Sequence, residues 1–353
     1  MREGWDVKKL GDCFKLKSGD GLTSKMMNQN GTYPVFGGNG IAGLHDSFNL
    51  KGNNIIVGRV GALCGNVRHI IENIWLTDNA FKVVDFKYEF DYSFLTYLLN
   101  FKNLRGYARQ AAQPVISNSS LKEVSLEFPK SLLEQKRIVA ILDKVFAAID
   151  KAKANAEQNL KNAKELFESY LQGVFEDKGA GWEEKKFDEI CVLQRGFDLP
   201  KRLRNKGGFP LVSSNGITDR IDQWKVKAPG VSTGRSGTIG NVHFIEEDYW
   251  PLNTALYIKE FHGNYERYIY YFLRKFDLSK YSSGAGVPTL NRNNVHSEMV
   301  WFPKSLKEQQ TIVKKLDALL AETKKLEAIY KQKIDDLEEL KKSVLQKAFN
   351  GEL

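Results

Sequence analysis

The sequence contains few cysteines and no long apolar run. Its three cysteines, Cys13, Cys64 and Cys191, are spread through 353 residues. They are too far apart for a paired metal-binding spacing, and we expect them to be reduced and buried. No run approaches the roughly 20 apolar residues of a membrane-spanning helix, and the N-terminus lacks the charged-then-apolar pattern of a signal peptide. We therefore expect a folded cytoplasmic protein with no membrane partner.

Signatures of catalysis are also missing. The chain has no GxxxxGK[ST] phosphate loop, no NPPY or DPPY methylase motif, no HExxH and no Pro-Asp pair that could open a PD-(D/E)xK nuclease site. The segment FGGNG at 36–40 fits the FxGxG pattern of cofactor-binding methylases, but its repeat at 212–216, VSSNG, loses that pattern. We expect no catalytic residue, no metal ligand and no bound cofactor in this chain.

An internal repeat governs the organisation of the chain. FPKSLLEQKRIVAILD at 128–143 returns as FPKSLKEQQTIVKKLD at 302–317, with eleven of sixteen positions identical. Earlier motifs recur in the same order, including Asn-Gly-Ile and Gly-Arg-x-Gly. Residues 1–128 (head one) and 179–302 (head two) are thus predicted to share one scaffold. They carry six of the nine excess positive charges, which suits a nucleic-acid partner.

Each head is predicted to be a mixed α and β domain with many short strands. Residues 54–60 and 231–237 have the pattern of a strand that ends in a glycine turn. Residues 90–99 and 265–274 carry apolar side chains at spacings of three and four, which predicts a helix in each head.

The segments that follow the heads, 129–178 and 303–353, are predicted to be two long helices. Each starts with a proline and a capping-box pattern, Ser131-x-x-Glu134 and Ser305-x-x-Glu308. Apolar residues then alternate in steps of three and four, with one extra step of four at the same place in both, which is typical of a coiled-coil seam. At about 1.5 Å per residue each helix would be roughly 65 Å long.

We therefore expect an α+β protein with two homologous heads and two long antiparallel helices, arranged as a pseudo-two-fold dumbbell. The same pattern also allows the helices to pair with other chains. Two related heads held at a fixed separation are suited to binding a nucleic-acid duplex, with one half-site for each head. Because the loops of the heads differ, the target should be bipartite and asymmetric.

The chain resembles the specificity subunit of a type I restriction and modification system over essentially its full length. The resemblance rests on two heads, each followed by a long helix that opens with a proline-plus-EQ signature at 129–138 and 303–312. The C-terminal LQKAFNGEL and its echo YLQGVF at 170–175 add to it. The resemblance implies a non-catalytic chain that reads double-stranded DNA and holds two copies of an adenine-N6 methyltransferase. A motor nuclease subunit would join for cleavage, and S-adenosylmethionine, ATP and magnesium would bind in the partner subunits.

Three loop regions recur in both heads and supply the candidate DNA contacts. They are 17–39 with 195–215, the Gly-Arg-x-Gly turns, and 105–120 with 279–294. The repeated arginine turn fits either a phosphate site or a tight corner whose arginine caps a carboxylate, and the third loop is either a contact or a solvated loop. The candidates are the amides and cations suited to base edges and phosphates: Arg59, Arg105, Arg109, Gln110, Gln113, Asn118, Lys201, Arg202, Arg204, Arg235, Asn291, Arg292, Asn293 and Asn294.

The long helices carry apolar residues beyond the seam. These either cover the ends of the heads or bind helices of the methyltransferase, and the resemblance favours the second. They are Val139, Ile141, Phe146, Leu166, Leu171, Phe175, Val313, Leu320, Leu340, Leu345 and Phe349. The competing function is a non-enzymatic scaffold whose duplicated heads bind protein or glycan.

Overall fold

The computed structural model of the chain describes residues 3–109, 113–179, 181–284 and 288–353. The chain divides into two compact units. One unit runs to Ala156 and takes in Gln332–Leu353, and the other is Glu157–Lys331. Each unit contains one head and a segment of each long helix. Nowhere in the described ranges is a helix both long and apolar enough to cross a membrane.

The described residues of the first unit form nine short strands. They are β1 Trp5–Lys9, β2 Lys15–Ser18, β3 Tyr33–Gly37, β4 Gly40–His45, β5 Asn54–Gly58, β6 Val67–Ile70, β7 Trp75–Leu76, β8 Ala80–Val84 and β9 Ser125–Pro129. Its helices are α1 Leu10–Cys13, α2 Tyr92–Phe101, α3 Asn118–Leu121 and the first part of α4, which spans Leu132–Glu176.

Strands of the first unit form two small sheets and a separate pair. One sheet has the order β2-β8-β5-β6 and is antiparallel, and the other has the order β4-β3-β7 with β3 and β7 parallel. The pair is β1 with β9, in which Trp5 faces Pro129 at the end of the head. This pair places the start of the chain beside the start of α4.

In the part of the second unit that the structure describes there are eleven strands and a similar set of helices. The strands are β10 Trp182–Lys186, β11 Val192–Arg195, β12 Lys206–Ser213, β13 Gly216–Ile221, β14 Gly230–Gly234, β15 Val242–Ile245, β16 Trp250–Pro251, β17 Ala255–Glu260, β18 Ser282–Ser283, β19 Thr289–Leu290 and β20 Met299–Pro303. The helices are α5 Phe187–Ile190, α6 Glu266–Lys275, α7 Arg292–His296 and α8, which spans Leu306–Phe349.

The topology of the first head recurs in the second. The sheets of the second head have the orders β11-β17-β14-β15 and β13-β12-β16, and β10 pairs with β20. A further two-stranded sheet, β18 with β19, lies in the third loop region. The predicted mixed α and β heads and the two long helices are thus confirmed, and α2 and α6 lie within two residues of the predicted bounds.

The long helices complete the core of each head. In the first unit, Leu142 of α4 and Phe349 of α8 lie in one apolar cluster with Phe94 of α2. In the second, Leu171 of α4 and Leu316 of α8 lie in one cluster with the aromatic residues of α6. Burial of these apolar side chains is what holds each helix segment against its head.

Within the first unit, α4 and α8 run antiparallel. Lys341 Nζ of α8 donates to Asp150 Oδ1 at 2.7 Å, and Lys153 of α4 pairs with Glu338. Because the partner numbers fall on α8 as they rise on α4, the segments point in opposite directions. This matches the predicted antiparallel seam.

Three positions of the second unit depart from the predicted seam of buried apolar residues, and one of them is Leu326, which is 37% exposed. Thr323, a polar residue, takes the buried place between Leu319 and Leu326, and its hydroxyl donates to the Leu319 carbonyl at 3.0 Å. Tyr170 is exposed and lines a cavity of about 550 Å³ with Trp182 and other residues. A hydroxyl that is satisfied by its own helix can be buried without a partner elsewhere.

Candidate nucleic-acid interface

The three loop regions of head one meet at the glycine turn that follows β5. Ile116 N of the third region donates to the Arg59 carbonyl at 2.9 Å, and Gly61 N donates to the Pro114 carbonyl at 3.1 Å. From the first region, Asn39 Oδ1 accepts a hydrogen bond from Leu63 N at 2.9 Å. These bonds place regions that are far apart in sequence on one surface.

Glycine makes this convergence possible. A Cβ on Gly38 would lie 1.9 Å from the Val60 carbonyl oxygen, so only glycine lets the β3–β4 hairpin approach the turn. Gly61 has a φ of +100°, in the region that favours glycine. The repeated glycines are therefore explained by close packing of main chain on main chain.

Head two builds a similar junction, and one of its main-chain bonds is equivalent to a bond of head one. Leu290 N donates to the Arg235 carbonyl at 2.8 Å, and Ser236 bridges to Thr289. A Cβ on Gly234 would lie 1.6 Å from the Thr238 carbonyl and 3.3 Å from Ser214 Cβ of the hairpin. The duplication thus extends from the sequence to the hydrogen bonds that assemble the loops.

The two turn arginines make equivalent contacts with main-chain carbonyls. Arg59 Nη1 donates to the Asp78 carbonyl, and Arg235 Nη1 donates to the Asn253 carbonyl, each at 3.2 Å. Both side chains are half-buried, and the Arg59 guanidinium lies 5.4 Å from the centre of the Phe81 ring. Each arginine therefore joins its turn to the loop before β8 or β17 and leaves part of its side chain at the surface.

Several predicted base readers hold the third loop in place. Asn118 Nδ2 donates to the Leu16 carbonyl at 3.0 Å, and Arg292, at the equivalent position, donates to the Leu193 carbonyl at 3.3 Å. Arg105 Nη1 donates to the Ala62 carbonyl at 2.7 Å. These side chains join the loop to its neighbours.

Other candidates in the third loop lie exposed on the same surface. Asn291 caps α7 by accepting a hydrogen bond from Asn293 N at 3.1 Å, which fixes the main chain beneath it. Arg109, Gln113, Asn293 and Asn294 are exposed, as are Arg105, Asn118 and Asn291. Gln110 lies outside the described residues.

The basic residues at 201–204 of head two have two different environments. Arg204 donates through Nε and Nη2 to the Leu199 carbonyl, at 3.1 and 2.9 Å. Lys201 and Arg202 are exposed in a 3₁₀ turn that ends at Leu203. The first contact stabilises the loop, and the two exposed cations are free to meet an anion.

A basic cleft of about 390 Å³ opens between the loops of head two. Arg195, Arg235 and Arg292 line it together with Asn291 and Asn293. Arg195 also makes a bidentate pair with Asp198 at 3.0 and 2.9 Å. A cleft with three guanidinium groups and two amides is suited to phosphates and base edges.

Two side chains beneath the turns of the β3–β4 and β12–β13 hairpins were not predicted from the sequence. Arg68 on β6 and His243 on β15 are equivalent, and a Cβ on Gly40 would lie 3.5 Å from Arg68 Nη2 while one on Gly216 would lie 2.9 Å from His243. Burial lowers the pKa of the Arg68 guanidinium and also that of the His243 imidazole. Because the residue type changes between copies, the repeat did not reveal them.

Most of the apolar helix residues proposed for partner binding are packed within the chain. Phe146, Leu171, Val313 and Phe349 are buried, and Val139, Phe175, Leu320 and Leu345 are half-buried against the two cores. Leu166 is 50% exposed and Leu340 is 47% exposed. The helices therefore cover their own heads with much of the predicted apolar stripe, and these two leucines remain at the surface.

One apolar groove of about 590 Å³ lies along the helices of the first unit. Its lining is Ile141, Lys144, Val145, Ala148, Ile149, Ala152, Leu337 and Leu340. The equivalent positions of the second unit include Lys315 and Glu322. Two of the apolar positions that line the groove are therefore charged in the second unit.

Metal-ligating side chains and cysteines were compared with these surfaces. In residues 3–109, 113–179, 181–284 and 288–353, no group of three or more His, Cys, Asp or Glu side chains could hold a metal ion. Cys191 is fully buried, which raises the pKa of its thiol.

Comparisons with known proteins all indicate the same family. A specificity subunit of the EcoprrI type I restriction enzyme from Escherichia coli is 31% identical over 169 residues, which is 45% of this chain and 42% of that protein. The chain thus spans less than half of that relative. A putative type I specificity subunit of Mycoplasma genitalium is 24% identical over 98% of this chain and 94% of its own length.

A solved chain from a study of complex assembly in a type I restriction-modification system has the same fold. It superposes with a TM-score of 0.83 at 16% identity, and covers 100% of this chain and 99% of its own. The family model described as the type I restriction modification DNA specificity domain matches twice, at residues 2–161 and 179–338. The chain therefore belongs to the family of type I restriction modification DNA specificity proteins.

Proposed function

We propose that the chain is the DNA-recognition subunit of a type I restriction-modification complex and that it acts in the cytoplasm without catalytic activity of its own. One observation carries this proposal. In each head three polar loop regions meet at the glycine turn, with an equivalent main-chain bond between the second and third regions, while the exposed side chains differ between heads. A shared scaffold with different exposed amides and cations is what reading two different half-sites requires.

The exposed side chains divide by chemistry into base readers and phosphate contacts. Gln113 in head one and Asn293 with Asn294 in head two present amides, which can donate to and accept from base edges. Lys201, Arg202 and Arg109 present cations that would mainly neutralise phosphates. Asn118, Arg204 and Arg292 bind main-chain carbonyls and hold these groups in position, and Gln110 remains a candidate base reader.

The long helices give the proposed assembly its spacing and its partner sites. Two copies of an adenine-N6 methyltransferase would bind the helices, through the apolar groove that includes Leu340 in the first unit and through the surface around Leu166 in the second. Exposed apolar side chains on an otherwise charged helix are suited to such docking. S-adenosylmethionine would bind in the methyltransferase, and ATP and magnesium in a motor nuclease subunit.

The experiment is to sequence the methylome of cells that express the companion methyltransferase with and without this chain. We expect adenine methylation at one split motif only when both are present. A scaffold that binds protein or glycan would leave methylation unchanged. Methylation that does not depend on the chain would overturn the proposal.

A further inference from the structure

An isoleucine is exposed at the same position of both heads. Ile41 is 64% exposed and Ile217 is 53% exposed, and each follows an Asn-Gly turn at the start of β4 or β13. Single exposed aliphatic residues are common and need no explanation. The same exposed aliphatic residue at equivalent positions of two heads with different loops points to a shared task.

Ile41 lies beside the converged loops. Its hairpin is fixed to the glycine turn by the bond from Leu63 N to Asn39 Oδ1 at 2.9 Å and by the close approach of Gly38 to Val60. Across the hairpin Ile41 pairs with Phe36, which is buried. The side chain of Ile41 is thus held at the surface by a main chain that is anchored on both sides.

Ile217 has the same setting in head two. It pairs with Val212, which is buried, and the turn before it packs with Ser214 against Gly234 of the glycine turn. The side chain of neither isoleucine can form a hydrogen bond. Each therefore presents an apolar contact inside a surface that otherwise offers amides and cations.

The surroundings indicate which apolar group would be met. The cations and amides of the converged loops suit a nucleic-acid duplex, and Arg68 adds a half-buried cation beneath the tip of the first hairpin. On the major-groove edges of base pairs, the apolar group is the C5-methyl of thymine. We propose that Ile41 and Ile217 contact thymine methyl groups, one in each half-site. This proposal rests on the proposed DNA-recognition function.

The test is a cycle of changes in protein and DNA. The complex of this chain with its methyltransferase is bound to a duplex that carries the methylated motif, and each thymine is replaced in turn by uracil, which lacks only the methyl group. We expect one uracil in half-site one to weaken binding about three- to tenfold, with no further loss in the Ile41→Ala complex. Ile217→Ala should cancel the effect of one uracil in the other half-site.

Control variants separate the contact from a folding defect. Ile71 is 75% exposed and follows β6, at the end of the β5–β6 hairpin away from the glycine turn, so Ile71→Ala should bind like the unchanged chain. Ile41→Val and Ile41→Thr have nearly the same shape, and Thr should lose more affinity because its hydroxyl faces the methyl group. Equal thermal unfolding of all variants is checked alongside.

The outcomes distinguish this inference from the proposed function. Additive effects of uracil and Ile41→Ala, an absence of any uracil effect, or half-sites without thymine would each overturn the isoleucine contact. Failure of the unchanged complex to bind any sequence preferentially would instead overturn DNA recognition itself.

Discussion

Gln135 Oε1 accepts a hydrogen bond from Asp91 N at 2.8 Å, and joins the first turn of α4 to the start of α2. Its Nε2 donates to the Pro129 and Glu89 carbonyls at 2.9 and 3.2 Å. Gln309 repeats this in head two, with Tyr265 N at 2.9 Å and the Pro303 carbonyl at 3.2 Å. The glutamines are 0% and 1% exposed. The repeated EQ signature thus contains the polar centre of each junction between head and helix.

Replacing this glutamine should destabilise its unit. Gln309→Met keeps the approximate size of the side chain but leaves buried peptide groups of Tyr265 and Pro303 without a partner, at a cost of about 1–3 kcal/mol each. We expect the denaturation midpoint of the chain to fall. The neighbouring Gln310→Met, on the exposed face of the same helix, is the matched control and should leave the midpoint in place. Equal midpoints for the two variants would show that the junction does not depend on the amide.

Sequence reasoning found the repeat, the heads and both long helices, because these depend on local signals: identity between copies and apolar spacing. It assigned the helix start to a capping box of serine and glutamate. In the structure the Glu134 carboxylate binds Arg137 at 2.8 Å and Glu308 accepts from Trp182 Nε1 at 2.9 Å, so both glutamates have other partners. The role of Gln135 was hidden because Asp91 lies 44 residues away in sequence.

The apolar stripe illustrates a second limit. A sequence pattern shows that Phe146 and Phe349 are apolar and in phase, but not whether a head or another chain covers them. Phe349 packs against Phe94 and Phe101 of α2, with ring centres 5.6 and 5.1 Å apart. The tertiary structure is needed to show that Leu166 and Leu340 are the exposed residues of this apolar stripe.

The salt dependence of DNA binding should change when the exposed cations of head two are removed. Each phosphate contact releases counterions, so Lys201→Ala and Arg202→Ala should each weaken binding and reduce the slope of log K against log salt by about 1. Binding of the complex is measured between low and moderate salt. Lys161→Ala, an exposed position on α4, is the control and should keep the slope. An unchanged slope in the Lys201 and Arg202 variants would rule out phosphate contacts there.

The two heads should control separate halves of the target. Gln113→Ala removes an exposed amide of head one and should relax one base position of half-site one, at about 1–3 kcal/mol of discrimination. Asn293→Ala should do the same in half-site two. Methylome sequencing of each variant reads both halves at once. A change in the same half for both variants would contradict a division of labour between the heads.

Lowering the pH should decrease the folding stability of the second unit, because His296 becomes protonated. Its Nε2 accepts a hydrogen bond from Leu193 N at 3.0 Å, and burial lowers the pKa of the imidazole from its usual value. Protonation is therefore easier in the unfolded chain, so this contribution to stability is present above about pH 6.5 and is lost as pH falls toward the folded pKa.

The His296→Gln variant tests this dependence, since its amide oxygen can still accept from Leu193 N but does not titrate. Thermal unfolding is followed from pH 7.5 to pH 5. The variant should lose less stability than the unchanged chain over this range. Parallel losses would mean that other groups control the acid sensitivity.

The central claim is that each head reads one half-site independently, and an exchange of heads tests it most directly. In a chain whose residues 179–302 are replaced by residues 1–128, the repeated FPKSL signatures keep the junctions to both helices. Methylome sequencing with the companion methyltransferase should then show a split motif in which both halves carry half-site one. An unchanged asymmetric motif from a chain of equal stability would contradict the account.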